Sequence, residues 1–371
     1  MDIDKLKDTI QDCNLNFLIG SGLSVPFFST LGNIEILLTD LSKSSLVSPK
    51  EKEIIRASIL GKYFDTVIKK NPLIIDDSKK GPTKSQVLNN YKSFLVTLNT
   101  IVLKRKSTLL NKQVNLFTTN IDVFIEKALE LTQLEYNDGF QGRFKPVFSL
   151  TNFNKLIYKK SLHYDNTSEI PVFNLLKVHG SLTWKSENDK VMYSDLSNLE
   201  EIKLKYDLIK ADLIEFDETN DITHFEAEVK SLTYNKGYSE FLSFYDKLAV
   251  VNPTKEKFHD TILNLYYYEL LRVLSNELEK ENTILFIMGF SLADEHLREI
   301  VLRAANSNPT LVLKIFAFDE EAKNTIEENL TKGNTTIRYN NIEIFIPEPG
   351  ENYDFKSIHD TVFKEVLSKI D

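Results

Sequence analysis

Asn120, Asp122 and His179 have the residue types and the placement for chemistry. Asn120 and Asp122 lie in Thr118-Thr119-Asn120-Ile121-Asp122, directly after the apolar run Val114 to Phe117. His179 lies in Lys177-Val178-His179-Gly180-Ser181, at the end of the run Phe173 to Val178. An imidazole has a reference pKa of about 6.5, so a histidine placed there suits a general base near neutral pH. Asn or Asp in front of a helix is also an ordinary cap, and capping does not exclude catalysis. A third cluster, Gly20-Ser21-Gly22-Leu23-Ser24, follows the run ending at Ile19. Its glycines permit close approach of backbone to a ligand, and its serines add hydroxyl donors. If a helix follows, free N–H groups there suit a phosphate. The loop lacks the third glycine of the dinucleotide fingerprint and the Lys-Ser/Thr of a P-loop, so by itself it reads equally as a tight turn. Val251-Asn252-Pro253 and Gly289-Phe290-Ser291, with Asp294 and His296 beyond, complete the set.

Each cluster closes an apolar run of strand length, as expected for strands buried on both faces. Strands are expected near 16–19, 114–117, 173–178, 248–251, 283–288 and 311–318, with an edge strand at 342–346. Helices are expected over Ile3 to Cys13, Val123 to Leu131, Thr254 to Leu278 and Leu292 to Ala305, then to about Leu330, and finally over Phe355 to Ile370. Tyr136-Asn137-Asp138-Gly139 reads as a turn. From Leu31 to about Lys106, apolar residues recur at three- and four-residue spacing, punctuated by Pro72 and Gly81-Pro82, which predicts a long helical insertion. Alternating strand and helix predict an α/β fold: a doubly wound, Rossmann-like, mostly parallel sheet with helices on both faces. Ligands bind such sheets beyond the carboxyl ends of the strands, where the five clusters fall. The expected division is 1–30 (first strand and nucleotide loop), 31–110 (helical insertion), 111–184 (catalytic part of the core), 185–246 (a polar, acidic excursion or cover) and 247–371 (the rest of the core and the closing helix).

Composition narrows the partners. A net charge of -9 argues against a generally basic nucleic-acid binder, and Lys104-Arg105-Lys106 is too short a cluster to change that. The single cysteine, Cys13, excludes an intrachain disulfide framework and a Cys-rich zinc site, and suits a reducing cytoplasm. The amino terminus has no apolar core of a signal peptide, and no apolar run approaches the roughly 20 residues of a membrane span. No internal repeat or low-complexity tract is present, and no appended sensing domain is legible.

Set side by side, the five strand ends resemble the sirtuin family. More closely, they resemble its prokaryotic branch of NAD-consuming effectors in anti-phage defence, and in size the stand-alone subunits that pair with a HerA-type DNA-translocating ATPase. The resemblance covers roughly 15–28, 114–142, 175–184 and 248–318; the Thr-Asn-x-Asp and His-Gly pair is its most specific part. It implies that NAD is the substrate. Gly20, Ser21, Gly22 and Ser24 would line the diphosphate, and Pro26 and Phe27 would sit in a mobile loop, Val25 to Phe28, near the nicotinamide. Thr119 belongs to the same pocket. Asn120 and Asp122 would face the ribose, with Asn120 placing the attacking water, and His179 would be the base. Asn252 would approach the adenosine ribose, and Gly289 and Ser291 the adenosine side. Deacetylating sirtuins carry a four-cysteine zinc module after the His-Gly motif. This chain lacks those cysteines, so no zinc is expected, protein deacylation is in doubt and water becomes the acceptor. The implied function is an NAD+ glycohydrolase depleting NAD, in a homo-oligomer with such an ATPase. NAD-dependent deacylation or ADP-ribosylation of protein, and a non-catalytic NAD-binding scaffold, remain alternatives.

Blander roles are open for other residues. Asp294 and His296 lie at the start of a helix that Ser291 can cap, and read as surface or interface residues. Trp184 and Tyr266-Tyr267-Tyr268 read as core or interface. His163, His224, His259 and His359 read as surface, and 207–221 as a solvated acidic face.

Overall fold

The computed structural model describes residues 2–29, 32–107, 109–251, 261–332, 340–348 and 350–370. Seven strands form the central sheet: β1 (Asn14–Ile19), β2 (Gln113–Thr118), β3 (Tyr136–Asn137), β4 (Val172–Lys177), β5 (Thr283–Met288), β6 (Leu311–Phe316) and β7 (Ile342–Phe345). Their spatial order is β7-β6-β5-β1-β2-β4-β3, and every adjacent pair is parallel. This is the doubly wound, Rossmann-like sheet that the alternating runs predict. Successive side chains feed two cores, as the period of two requires. Leu15, Phe17 and Ile19 of β1 join one cluster, and Leu18 joins the other.

From β1 the chain runs outward through β2 to β3 and β4, then returns to β5 on the opposite side of β1. The order reverses between β1 and β5, and ligands of such sheets bind beyond the carboxyl ends at that point. Polar side chains pin the register. Asn16, Asn115, Asn174 and Asn137 stand opposite one another across β1, β2, β4 and β3. Asn115 Nδ2 donates to Asn16 Oδ1 at 2.9 Å, and Asn174 Nδ2 to Asn115 Oδ1 at 2.8 Å. A one-residue slip would break this row and turn every strand residue to the wrong core.

Several boundaries differ from expectation. Tyr136 and Asn137, read as a turn, form the edge strand β3. Residues 248–251 are not a sheet strand; Val250 makes an isolated antiparallel bridge to Gly180. The helix expected from Leu292 begins at Glu295, because Leu292 has φ +59° and Asp294 is the cap. The helix expected from Thr254 is described as Thr261–Leu278, its first residues lying outside the described ones.

The 31–110 segment divides in two. Helix Pro82–Leu103 covers the sheet, with Phe94 at 5.5 Å from Phe17 and 5.2 Å from Phe363 of the closing helix. Helices Ile34–Lys43 and Pro49–Tyr63 instead pack with Asn198–Ile209 and Lys236–Tyr245. Arg56 Nη1 bonds Asp246 Oδ2 at 2.9 Å, and Ser58 Oγ accepts the Ile214 N–H at 2.9 Å. Two stretches far apart in sequence therefore build one helical body. The 185–246 excursion opens with the antiparallel strands Trp184–Glu187 and Lys190–Tyr193 before entering that body. Arg105 is buried and donates to the carbonyls of Ile10 (2.8 Å) and Cys13 (3.0 Å), so the Lys104-Arg105-Lys106 cluster is no basic patch. Trp184 and Tyr267 are core residues, while Tyr268 is exposed.

Candidate functional site

Four loops meet beyond the carboxyl ends of β5, β1, β2 and β4. The glycines set the closest approach. The Gly20 N–H donates to the Met288 carbonyl at 3.0 Å, and the Gly22 N–H to the Gly289 carbonyl at 3.1 Å. A Cβ on Gly20 would stand 2.2 Å from Gly289 O, and Gly289 itself has φ +62°. Only glycine tolerates both constraints. Gly22 therefore spends its N–H on the neighbouring loop, and the glycines open no α-helix: Ser21–Ser24 is a single 3-10 turn. The condition for a helix N-terminus around a phosphate is thus not met by this loop, and Ser21 and Gly22 are its half-exposed residues, Ser24 being buried.

The next loop is stapled to the first. Thr118 Oγ1 donates to the Ile19 carbonyl at 3.0 Å and accepts the Asn120 N–H at 3.0 Å. The Thr119 N–H also donates to Ile19 O, at 3.1 Å. On the far side, the Val178 N–H donates to Thr118 O at 3.0 Å and the Leu182 N–H to Ile121 O at 3.4 Å. The loops bearing Ser24, Asn120 and His179 are thus side by side.

A buried polar network lies beneath them. Ser24 Oγ donates to Asp122 Oδ2 at 2.8 Å and lies 3.1 Å from Tyr91 Oη. Asn120 Nδ2 faces Ser24 Oγ at 3.4 Å and Tyr91 Oη at 3.5 Å. Asp122 Oδ1 accepts the Phe124 N–H at 3.0 Å, so both carboxylate oxygens are engaged within the protein. Asn120 Oδ1 is different: it is buried and has no hydrogen-bond partner. A buried polar atom without a partner costs about 1–3 kcal/mol, a cost that a water, an ion or a ligand group can offset. Lys177 is buried too. Its Nζ bonds the Asp122 carbonyl and stands 3.1 Å from Glu126 Oε1. Burial holds the Glu126 carboxyl above the usual range, against the attraction of Lys177.

His179 is half-buried, and its Nε2 lies 3.2 Å from Asp294 Oδ2, close but without the alignment of a hydrogen bond. Asp294 Oδ1 accepts the Leu297 N–H at 2.9 Å, capping helix Glu295–Ser307. The Tyr267 ring stands 6.4 Å from the imidazole. The Val251 N–H donates to the His179 carbonyl at 2.8 Å, and Gly180 bridges Val250, fixing the backbone on which the imidazole stands.

The structure therefore gathers Ser24, Asn120 and Asp122, sets His179 on the adjoining loop, and presses Gly20 and Gly22 against Gly289. Ser291 is exposed, and its carbonyl accepts from Asn329 Nδ2 at 2.9 Å. Phe27 packs edge-on against Phe28 (4.8 Å) and Phe124 (5.3 Å), and Phe28 is buried. Val25 and Pro26 are the exposed part of that loop. Asn252 and His259 lie outside the described residues. Sequence reasoning missed Tyr91, Lys177 and the contact of Asp294 with His179. It also placed His359 on the surface, where the structure buries it against Thr97, Oγ1 to Nε2 at 2.9 Å. Among the described residues, no group of three or more His, Cys, Asp and Glu side chains is arranged to hold a metal, and no helix is long and apolar enough to cross a membrane.

No family model and no curated protein matches this chain. Among solved structures, one described as "Structural Basis for the Mechanism and Regulation of Sir2 Enzymes" is similar over 99% of this chain and 97% of its own, at 11% identity and a TM-score of 0.40. At that degree, the likeness assigns neither a site nor an activity.

Proposed function

We propose that this protein is an NAD+ glycohydrolase, releasing nicotinamide and ADP-ribose, with Asn120 and His179 at the reacting centre. The observation that carries the reading is the unpartnered Asn120 Oδ1, buried at a strand end beside the loop that bears His179. In the reaction, the bond between the ribose C1′ and the nicotinamide nitrogen breaks, and its electron pair returns to that nitrogen. The cationic base leaves as a neutral molecule, so no acid is needed to expel it. The transition state resembles an oxocarbenium ion, as in other glycosyl transfers. Asn120 Oδ1 accepts a hydrogen bond from the attacking water or from a ribose hydroxyl, fixing its approach. The water oxygen bonds to C1′ and His179 takes the proton. Asp294, 3.2 Å from the imidazole, then faces the imidazolium that forms.

Product analysis tests the reaction. Purified protein, with any activator its assembly needs, should convert NAD+ to equimolar nicotinamide and free ADP-ribose. O-acyl-ADP-ribose or labelled protein would replace this reading by transfer to a protein, and NAD+ binding without turnover would replace it by a scaffold.

The cellular role we propose is depletion of NAD in anti-phage defence, by a homo-oligomer acting with a HerA-type ATPase. Its support is the likeness of the strand-end motifs. The mass in solution, against 42.8 kDa for one chain, checks self-assembly. A species at several times that mass is expected, and a monomer at every concentration would remove the oligomer.

A further inference from the structure

Tyr91 lies outside every motif of the site, on the sheet-covering helix Pro82–Leu103. Its ring is buried, stacked on Phe124 at 5.9 Å and edge-on to Phe355 at 4.7 Å. That packing aims the hydroxyl at Ser24 Oγ (3.1 Å) and Asn120 Nδ2 (3.5 Å). The direction of the protons follows from the other end of the network. An ionised carboxylate only accepts hydrogen bonds. Asp122 Oδ2 therefore takes the one Ser24 hydroxyl proton, across 2.8 Å. With that proton spent, the contact between Ser24 and Tyr91 must be donated by the phenol. Tyr91 then has no proton left either, and both hydroxyl oxygens turn only lone pairs towards Asn120. The amide must face them with its NH2 group. Reversed, it would set Oδ1 against two oxygens with no proton between them. The orientation of an asparagine amide is a consequence of its network, and here the network permits one.

We infer that Tyr91 is a positioning residue: with its proton given to Ser24, its hydroxyl oxygen can only accept from Asn120 Nδ2, which holds the amide with Oδ1 turned away from both hydroxyls and left as the acceptor for a bound group. The identity of the group received there, a ribose hydroxyl or the attacking water, rests on the NAD+ reading above; the orientation rests on the hydrogen-bond geometry. Burial, and the Asp122 charge after it, push the Tyr91 hydroxyl well above its usual range, so the phenol keeps its proton. The chain Tyr91 to Ser24 to Asp122 is one-way, and it ties the Asn120 amide to a helix that the closing helix supports through Phe355 and Phe363.

Tyr91→Phe keeps the ring between Phe124 and Phe355 and removes only the hydroxyl, with its bond to Ser24 and its acceptor for Asn120. Nicotinamide release should show kcat lowered about fivefold to tenfold, the size of one net hydrogen bond, with KM within about twofold. A kcat equal to that of the wild type would overturn the inference. A second readout needs no turnover. In protein labelled with 15N-asparagine, the Asn120 side-chain amide, assigned by its loss in Asn120→Asp, should be protected from hydrogen exchange in the wild type. It should lose about tenfold of that protection in Tyr91→Phe. Unchanged protection also overturns the inference. Ser24→Ala removes both the acceptor of the Tyr91 proton and the other partner of the amide, so it should lose at least as much protection, and unchanged protection there overturns the inference even if the Phe variant folds poorly. A wild type that releases no nicotinamide removes the NAD+ reading, while the amide readout still decides the role of Tyr91.

Discussion

Asp294 uses its two oxygens for two tasks, one capping helix Glu295–Ser307 and the other facing His179. The tasks separate on substitution. Asparagine is as good a cap as aspartate, so Asp294→Asn should keep stability within about 0.5 kcal/mol. It removes the charge beside the imidazole, and kcat for NAD+ cleavage should fall on the order of tenfold, a fraction of what general base catalysis supplies. Thermal melting and steady-state kinetics on one preparation check both; a retained kcat would make Asp294 a cap alone. Asp122 follows a similar logic. Both of its oxygens are committed to Ser24 and Phe124, so its geometry is that of an anchor for the loop and the hydroxyl chain, whereas the family likeness implied a ribose contact. Asn120 keeps the free acceptor.

At the scale of elements, the central strands and their polar ends were legible because buried parallel strands read as unbroken apolar runs closed by small or polar residues. What failed were the short pieces. β3 has two residues, and Tyr136-Asn137 carries a turn composition that tertiary pairing to β4 overrides. The run 248–251 is apolar because it packs against the His179 loop, not because it enters the sheet. Tyr91 could not be found by motif, since an apolar stripe on a helix hides a residue whose last atom is polar. His359 was missed for the same reason: it lies on the closing helix, and only packing against helix Pro82–Leu103 shows its bond to Thr97. Burial holds this imidazole below its ordinary value, with Lys364 and Lys356 adding to the effect and Asp360 opposing it. The folded state therefore favours the neutral ring, and the unfolded chain binds the proton more readily. Stability from this group is complete above the unfolded pKa of about 6.5 and is lost as pH falls from there through the folded value. Melting curves should show the wild type losing more stability than His359→Gln between pH 7.5 and 5.5. Parallel losses in the two proteins would contradict this.

At the scale of the whole molecule, the 31–110 and 185–246 stretches proved hardest to read. Each looked like a separate excursion, yet helices of both pack into one body through Arg56–Asp246 and the Ser58–Ile214 bond. Such pairing across well over a hundred residues leaves no local signal. The site stands on the other part of the chain, where the sheet order reverses between β1 and β5 and the loops after β5, β1, β2 and β4 touch through backbone hydrogen bonds. That arrangement gathers Ser24, Asn120 and Asp122 and sets the loop of His179 against them, from strands separated by long insertions. The claim that they form one NAD+-cleaving centre is tested most directly by nicotinamide release from the purified assembly, compared among wild type, Asn120→Ala and His179→Ala at equal folded concentration. The account predicts release by the wild type and a loss of at least about a hundredfold in each variant, the contribution expected of a general base or of a group that positions the nucleophile. Release that continues unchanged in both variants would contradict it.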